Sequence, residues 1–292
     1  MLRCGAGLFT AIFYTIAAGL ITHRICKPLQ TRRVIVVGYL TAENTVAGGN
    51  RMMGSMFSDV GKQLDGTSTF SVQGIVPVGE AVPNGEIVST TECITLRKLT
   101  ATGGTDGDVL YWRDGSFKAG KKTVNFHGWY TAGGTTAADM TLAAGQAVWI
   151  YFPAAANCTL QMSGEVALGE VYMALNQGNT AVANPLPLTC SVQKTAPFGK
   201  DSTVVPNGET VSTTACITLR KLTAAGGTDG DVLYWRDGSF KAGKKTVNFH
   251  GWYTAGGTTQ ADMTLAPGEG LWMFCPVENI AIVFPSAFAP AE

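Results

Sequence analysis

Val82 to Leu142 reads VPNGEIVSTTECITLRKLTATGGTDGDVLYWRDGSFKAGKKTVNFHGWYTAGGTTAADMTL, and the same string returns at Val205 to Leu265. The offset is 123 residues, and only four of the 61 aligned positions differ: Ile87/Thr210, Glu92/Ala215, Thr102/Ala225 and Ala137/Gln260. A chain that repeats a block of this length is built from tandem modules. Inside the block, short β-branched and aromatic runs such as Asp108 to Arg113 (DVLYWR) and Thr123 to Tyr130 (TVNFHGWY) alternate with glycine-rich breaks. That rhythm is the pattern of strands and turns. Asp114-Gly115 carries the residues of a tight hairpin turn, because both tolerate positive φ. The fold class expected is all-β: two tandem β-sandwich or barrel-like repeat domains.

The copy extends beyond the near-identical block. Cys190 to Gln193 (CSVQ) matches Phe70 to Gln73 (FSVQ), Pro197 matches Pro77, and Leu168 to Val171 occupies the place of Val37 to Leu40. Ile280 to Phe284 takes the place of Cys158 to Met162. The units are therefore residues 34–166 and 167–292. Before them, residues 1–33 carry an almost unbroken apolar run, Ala6 to Thr22, flanked by Arg3, Arg24, Lys27, Arg32 and Arg33. Its length lies between a signal-peptide core and a minimal membrane span, so an N-terminal hydrophobic helix is expected, serving as a signal peptide or a membrane anchor.

Composition narrows the class. Apolar residues make up 46% and charged residues 14%, which allows a large core and argues against disorder. Past residue 34 the chain has 16 basic against 21 acidic residues, and this mildly acidic body argues against a nucleic-acid partner.

Candidate sites are few. Trp112, Trp129, Trp235 and Trp252 lie in the repeated strands and are the residues a glycan-stacking platform would use, the alternative being core packing. Seven cysteines are present without metal-ligand spacing, so neither a zinc site nor a cofactor is expected. Cys158 and Cys190 occupy unit-specific positions and are the candidate disulfide; the alternative is that the cysteines are buried free thiols. Asp106, Asp108 and Asp114 recur as Asp229, Asp231 and Asp237 but fit no EF-hand loop and read as turn residues. His127 and His250 are the histidines of the body, with no nucleophile motif beside them, so a hydrolase is the least favoured reading and no enzyme is expected.

The motifs VVGYL, AVANPL (Ala181 to Leu186), DVLYWRDGSF (twice), LAPGEGLWMF (Leu265 to Phe274) and TLQMSGEV (Thr159 to Val166) have a further property in common. Their order resembles secreted β-rich tandem-repeat domains of bacterial surface proteins of the Verrucomicrobia-like phyla. The resemblance covers most of residues 34–292, although Gly49 to Met56 lacks the ANPL tetrapeptide. It implies a secreted or cell-surface protein, touching a membrane only through its N-terminal segment. The function expected is a non-enzymatic structural repeat protein that self-associates or binds other surface proteins, with a carbohydrate-binding or adhesion module as the alternative.

Overall fold

The structure, a computed structural model, describes residues 13–16, 19–25, 34–43, 49–58, 69–98, 109–167, 169–222 and 228–286. Among these the chain is all-β, interrupted only by two one-turn 3₁₀ segments, Val72–Gly74 and Val192–Lys194. One five-stranded sheet orders its strands as Lys122–Thr131, Leu110–Ala119, Thr95–Arg97, Ala147–Tyr151 and Asn50–Gly54. A second runs Lys245–Thr254, Thr228–Ala242, Thr218–Leu222, Gly270–Cys275 and Gly178–Ala183, the same sequence of counterparts. A further sheet centres on Asn157–Val166, which pairs with Val34–Glu43, Phe57–Ser58 and Val76–Ala81. Its counterpart centres on Ile280–Phe284, which pairs with Val171–Leu175 and Ala196–Gly199.

Period-two alternation explains these strands. In Val171–Leu175 the odd residues are buried and the even ones exposed, as a pleat with one covered face requires. The apolar side chains gather into two cores. One draws on Met53 to Val166 and centres on Trp112, Trp129, Phe57 and Leu160; the other draws on Ala167 to Phe284 and centres on Trp235, Trp252, Leu219 and Phe284.

Two expectations need correction. Leu110–Ala119 runs straight through Asp114-Gly115, and the hairpin turns at Gly120-Lys121, where Ala119 pairs with Lys122. Gly120 takes φ 64°, so it is the left-handed residue that a two-residue turn needs at its first position. Gly115 serves the strand instead: a Cβ there would come within 2.8 Å of the Phe117 ring, so its absence leaves room for the phenyl group. The second correction concerns the N-terminal helix. Phe13–Ile16 and Gly19–Ile25 are strands, paired with each other, and Gly19–Ile25 continues the pairing onto Val34–Glu43. Their aromatic and β-branched content suits a pleated surface. The rest of residues 1–33 lies outside the described residues. No helix among the described residues is long and apolar enough to cross a membrane.

The two five-stranded sheets meet through their edge strands Asn50–Gly54 and Gly178–Ala183. Met53 bridges Glu269, and Val182 bridges Gln146. These are one contact seen twice. Met53 pairs with Val148 and Val182 with Leu271, so Met53 and Val182 are counterparts, as are Gln146 and Glu269. Gly54 N–H donates to the Gly268 carbonyl (3.0 Å), and Ala183 N–H donates to the Gly145 carbonyl (2.7 Å). Such a reciprocal contact is isologous: residue i meets j, and the counterpart of i meets the counterpart of j. Met52, Ala147, Ala181 and Ala183 fill the joint, with Trp149 and Trp272 packed against them. Each Trp is held by an asparagine on the neighbouring edge strand, Asn50 (2.6 Å) and Asn179 (2.5 Å).

At the centre, counterparts Gly54 and Ala183 face each other. A Cβ on Gly54 would lie 2.5 Å from the Cβ of Ala183, and it would collide with the Gln146 carbonyl. Gly54→Ala is therefore expected to lower stability by about 2 kcal/mol through overpacking. Urea denaturation measures this, and an unchanged midpoint would show that the joint does not close as described.

Candidate functional site

Each half presents the repeated hairpin, Leu110–Ala119 with Lys122–Thr131 and its copy Thr228–Ala242 with Lys245–Thr254. Its two faces carry different chemistry because side chains alternate along a strand. One face places Trp112 opposite Trp129, then Asp114 opposite His127, then Ser116 opposite Asn125. The other carries Arg113, Phe117, Phe126 and Tyr130.

The tryptophans are interior. Trp112 and Trp129 meet edge to face at 5.6 Å, Trp235 and Trp252 at 5.4 Å, and all four are buried. The Trp129 indole N–H donates to the Ile75 carbonyl (2.8 Å), and that of Trp252 to Thr195 (3.3 Å). None of the four offers a ring face to a sugar, so the stacking platform does not exist at these residues. Burying an indole removes a large apolar area from water, and Trp→Ala in a core typically costs about 3–5 kcal/mol.

An amide that the sequence reading passed over holds the hairpin in place. Gln73 Nε2 donates to the carbonyls of Trp129 (3.0 Å) and Ala138 (2.8 Å), while its Oε1 accepts from Trp129 N–H (2.9 Å). Lys122–Thr131 is the edge of its sheet, so the glutamine pairs backbone groups that no further strand reaches. Gln193 does the same for Trp252 and Ala261. Gly128, at φ 136°, leaves room for this: a Cβ would strike Gln73 Oε1. Ser71 caps the 3₁₀ turn that presents Gln73, and Ser191 caps that of Gln193. The signal was in the sequence: Ser-Val-Gln survives in both copies within an otherwise diverged third.

On the opposite face Arg113 is buried with its guanidinium 3.6 Å above the centre of the Phe126 ring, and its Nε donates to the Gly85 carbonyl (3.0 Å). Arg236 repeats this over Phe249 and Gly208. The cation lies against an aromatic face and so keeps part of its stabilisation away from water.

The polar strip is the part of the hairpin open to solvent. His127 Nδ1 lies 3.0 Å from Asp114 Oδ1, and His250 Nδ1 lies 3.0 Å from Asp237 Oδ1. Each imidazole also meets a buried indole edge to face, at 5.5 and 5.7 Å. An aspartate that orients a histidine supplies two of three triad roles. The repeated hydroxyl on this strip, Ser116, donates to Asn125 (2.5 Å), and the Tyr130 hydroxyl accepts from the His127 backbone N–H (3.3 Å), so neither is bonded to the imidazole. Among the described residues no three His, Cys, Asp or Glu side chains converge on a metal position. Asp106 and Asp108 lie outside the described residues.

Cys158 and Cys190 do not form the candidate disulfide; the alternative, buried free thiols, is what the structure shows. Both are free and buried, Cys158 in the first core and Cys190 in the second. Cys93 and Cys216 fold their loops: each thiol donates to a carbonyl six residues back, Ile87 (3.0 Å) or Thr210 (3.1 Å). Burial pushes the thiols of Cys93, Cys158, Cys190 and Cys275 above the ordinary value.

An apolar recess of about 440 Å³ is lined by Ala81, Val82, Pro83, Thr91, Glu92 and Pro153 to Ala155. Glu92 is its single charged group, and the second copy has Ala215 there. Comparison with protein-family models, curated proteins and solved structures finds no match to this chain.

Gln73→Ala leaves one N–H and two carbonyls without their partner, and it is expected to cost about 2–3 kcal/mol by urea denaturation. A shift within error would remove the amide from the account. The thiols supply a second test. A raised thiol pKa adds stability that is complete below the unfolded value and is lost as pH rises above it. Denaturation midpoints should therefore fall above about pH 9. At neutral pH the thiols of Cys93, Cys158, Cys190, Cys216 and Cys275 should react with a thiol reagent only after unfolding. Prompt labelling of any of them in the native protein contradicts their placement.

Proposed function

We propose that this chain is a non-enzymatic structural protein, made of two tandem β-sandwich units at 34–166 and 167–292 and placed outside the cell or on its surface. The observation that carries the reading is where the repeated residues are spent. Trp112, Trp129, Arg113, Gln73 and Cys93, with their counterparts, pack interiors, hold edge strands and fold loops. What the duplication preserves is therefore a building unit.

The joint supports the same reading. Reciprocal backbone hydrogen bonds between the units make a fixed spacer, whereas a flexible linker would leave two independently tumbling beads. Because the joint is isologous it closes on itself, so larger assemblies use other surfaces. The outer hairpin edges are occupied by Gln73 and Gln193, which discourages growth by strand addition there. The resemblance to secreted surface repeats supports export; the apolar run at Ala6 to Thr22 is the candidate leader or anchor, and its removal would take Phe13–Ile16 and much of Gly19–Ile25 off the sheet of Val34–Glu43.

Fractionation of cells producing the full chain tests compartment. The protein should appear in the envelope or the medium, either with its N-terminal segment removed or held by it at the membrane. Recovery in the cytosol with Met1 or Leu2 at the N-terminus contradicts the proposal.

A further inference from the structure

Alternation along the two five-stranded sheets places a second set of aromatic residues opposite the cores, on the outer face of the joint. In the first half the register sets Arg97 beside Trp149 and Trp149 beside Met52, with Thr95 beside Tyr151 in the next row. In the second half it sets Arg220 beside Trp272 and Trp272 beside Ala181, with Thr218 beside Phe274. Trp149 and Trp272 pack on Met52, Ala147, Ala181 and Ala183, so the two arrays meet in one apolar cluster. Unlike Trp112 and its counterparts, these two tryptophans are partly exposed, as are Tyr151, Phe274 and both arginines.

Polar groups on this face are short of partners. Among the described residues, three of the four buried side-chain polar atoms without a hydrogen bond lie here: Thr95 Oγ1, Thr218 Oγ1 and Arg220 Nε. Buried polar atoms in folded proteins are nearly all paired, so three orphans on one face, two of them counterparts, call for a cause. Neither Arg97 nor Arg220 has an ion-pair partner among the described residues. Glu269 pairs with Lys221 (2.7 Å), and the register sets Asp229 opposite the same lysine. In the first half Gln146 stands where Glu269 does in the second, and Lys98 is left without an ion pair among the described residues.

We propose that this face binds an acidic polysaccharide, a chain of sugars bearing carboxylates, laid across the joint. The proposal deepens the structural reading above and rests on it, since it names the partner to which an exported spacer is attached. Partly exposed indoles offer flat apolar faces that match the C–H faces of sugar rings. Each arginine presents paired N–H donors in the planar fork that suits a carboxylate, and a ligand carboxylate supplies the charged acceptor that the fold withholds from both. Each half repeats the same element, an arginine beside a tryptophan. A polymer that engages both halves therefore gains affinity that a single sugar does not. A neutral glycan leaves the two guanidinium groups unanswered. A nucleic acid fits less well, because it is charged at every residue and the body past residue 34 has more acidic than basic groups.

Isothermal titration of the full chain with polygalacturonate and with alginate, at about 0.15 M salt, tests this. At least one polymer should bind with a Kd below about 1 mM. Methyl-esterified polygalacturonate, which keeps the sugar rings and loses the charge, should bind about tenfold more weakly. Arg97→Gln with Arg220→Gln should weaken binding of the acidic polymer by about tenfold or more, and so should Trp149→Leu with Trp272→Leu. Circular dichroism melts confirm that each variant is folded, and the arginine pair, being partly exposed, keeps the test open if the tryptophan variant is not. Failure of both polymers to bind overturns the proposal and leaves the structural reading standing. Binding indifferent to the arginine variant, or a preference for oligodeoxythymidylate over both polymers, does the same. Release of new reducing ends from either polymer overturns the non-enzymatic reading along with the proposal.

Discussion

Two backbone hydrogen bonds hold the halves of this protein in one arrangement: Gly54 N–H to the Gly268 carbonyl and Ala183 N–H to the Gly145 carbonyl. They form only because the backbones approach closely enough to reach, and side-chain size decides that. Gly54 and Ala183 are counterparts facing each other, with space for one methyl group and not two. Gly270 meets the same limit from the other side, since a Cβ there would come within 2.5 Å of Met52 Cγ. Two related units therefore meet through an interface whose smallest residues differ between them. An isologous contact has used up its surface once two units have met. The joint is thus complete within one chain.

Within each half the analogous constraint is the glutamine amide. A strand at a sheet edge exposes donors and acceptors that invite another chain. Gln73 and Gln193 meet these groups from inside the same half, next to the buried Trp129 and Trp252. Edge protection and core packing thus share one short segment, Ser-Val-Gln, in which serine caps the turn, valine enters the core and glutamine holds the strand. Arg113 and Arg236 serve the far face of the same hairpin by bonding the loop carbonyls of Gly85 and Gly208. The sites that looked most like chemistry, the Trp pairs and the cysteines, are therefore parts of this packing. The polar strip of Asp114, His127, Ser116 and Asn125 is what the hairpin leaves to water.

Much of the fold was legible before the structure. The β class followed from β-branched and aromatic runs broken by glycine, and strands such as Thr123 to Tyr130 were placed nearly to the residue. The hairpin turn was misplaced because Asp114-Gly115 carries a stronger turn signature than Gly120-Lys121, while the fold uses Gly115 to make room for Phe117. Trp112 and Trp129 could not be assigned to the interior from alternation alone: they lie opposite each other on one face, and only the packing of the half covers that face. The Cys158–Cys190 pairing failed because positional uniqueness in sequence carries no distance. The joint was unreadable for a different reason. Its residues, Met52 to Gly54 and Ala181 to Ala183, lie in the third where the copies have drifted, so no repeat signal marked them.

The claim on which the rest stands is that the halves are clasped by backbone hydrogen bonds rather than strung on a linker. Native-state amide hydrogen exchange at Gly54 and Ala183, read by nuclear magnetic resonance, addresses it directly. Those two amides should be protected to a level similar to that of the core strand amides of Ile150 and Met273. Exchange at the rate of an open loop, with Ile150 and Met273 still protected, would contradict the claim.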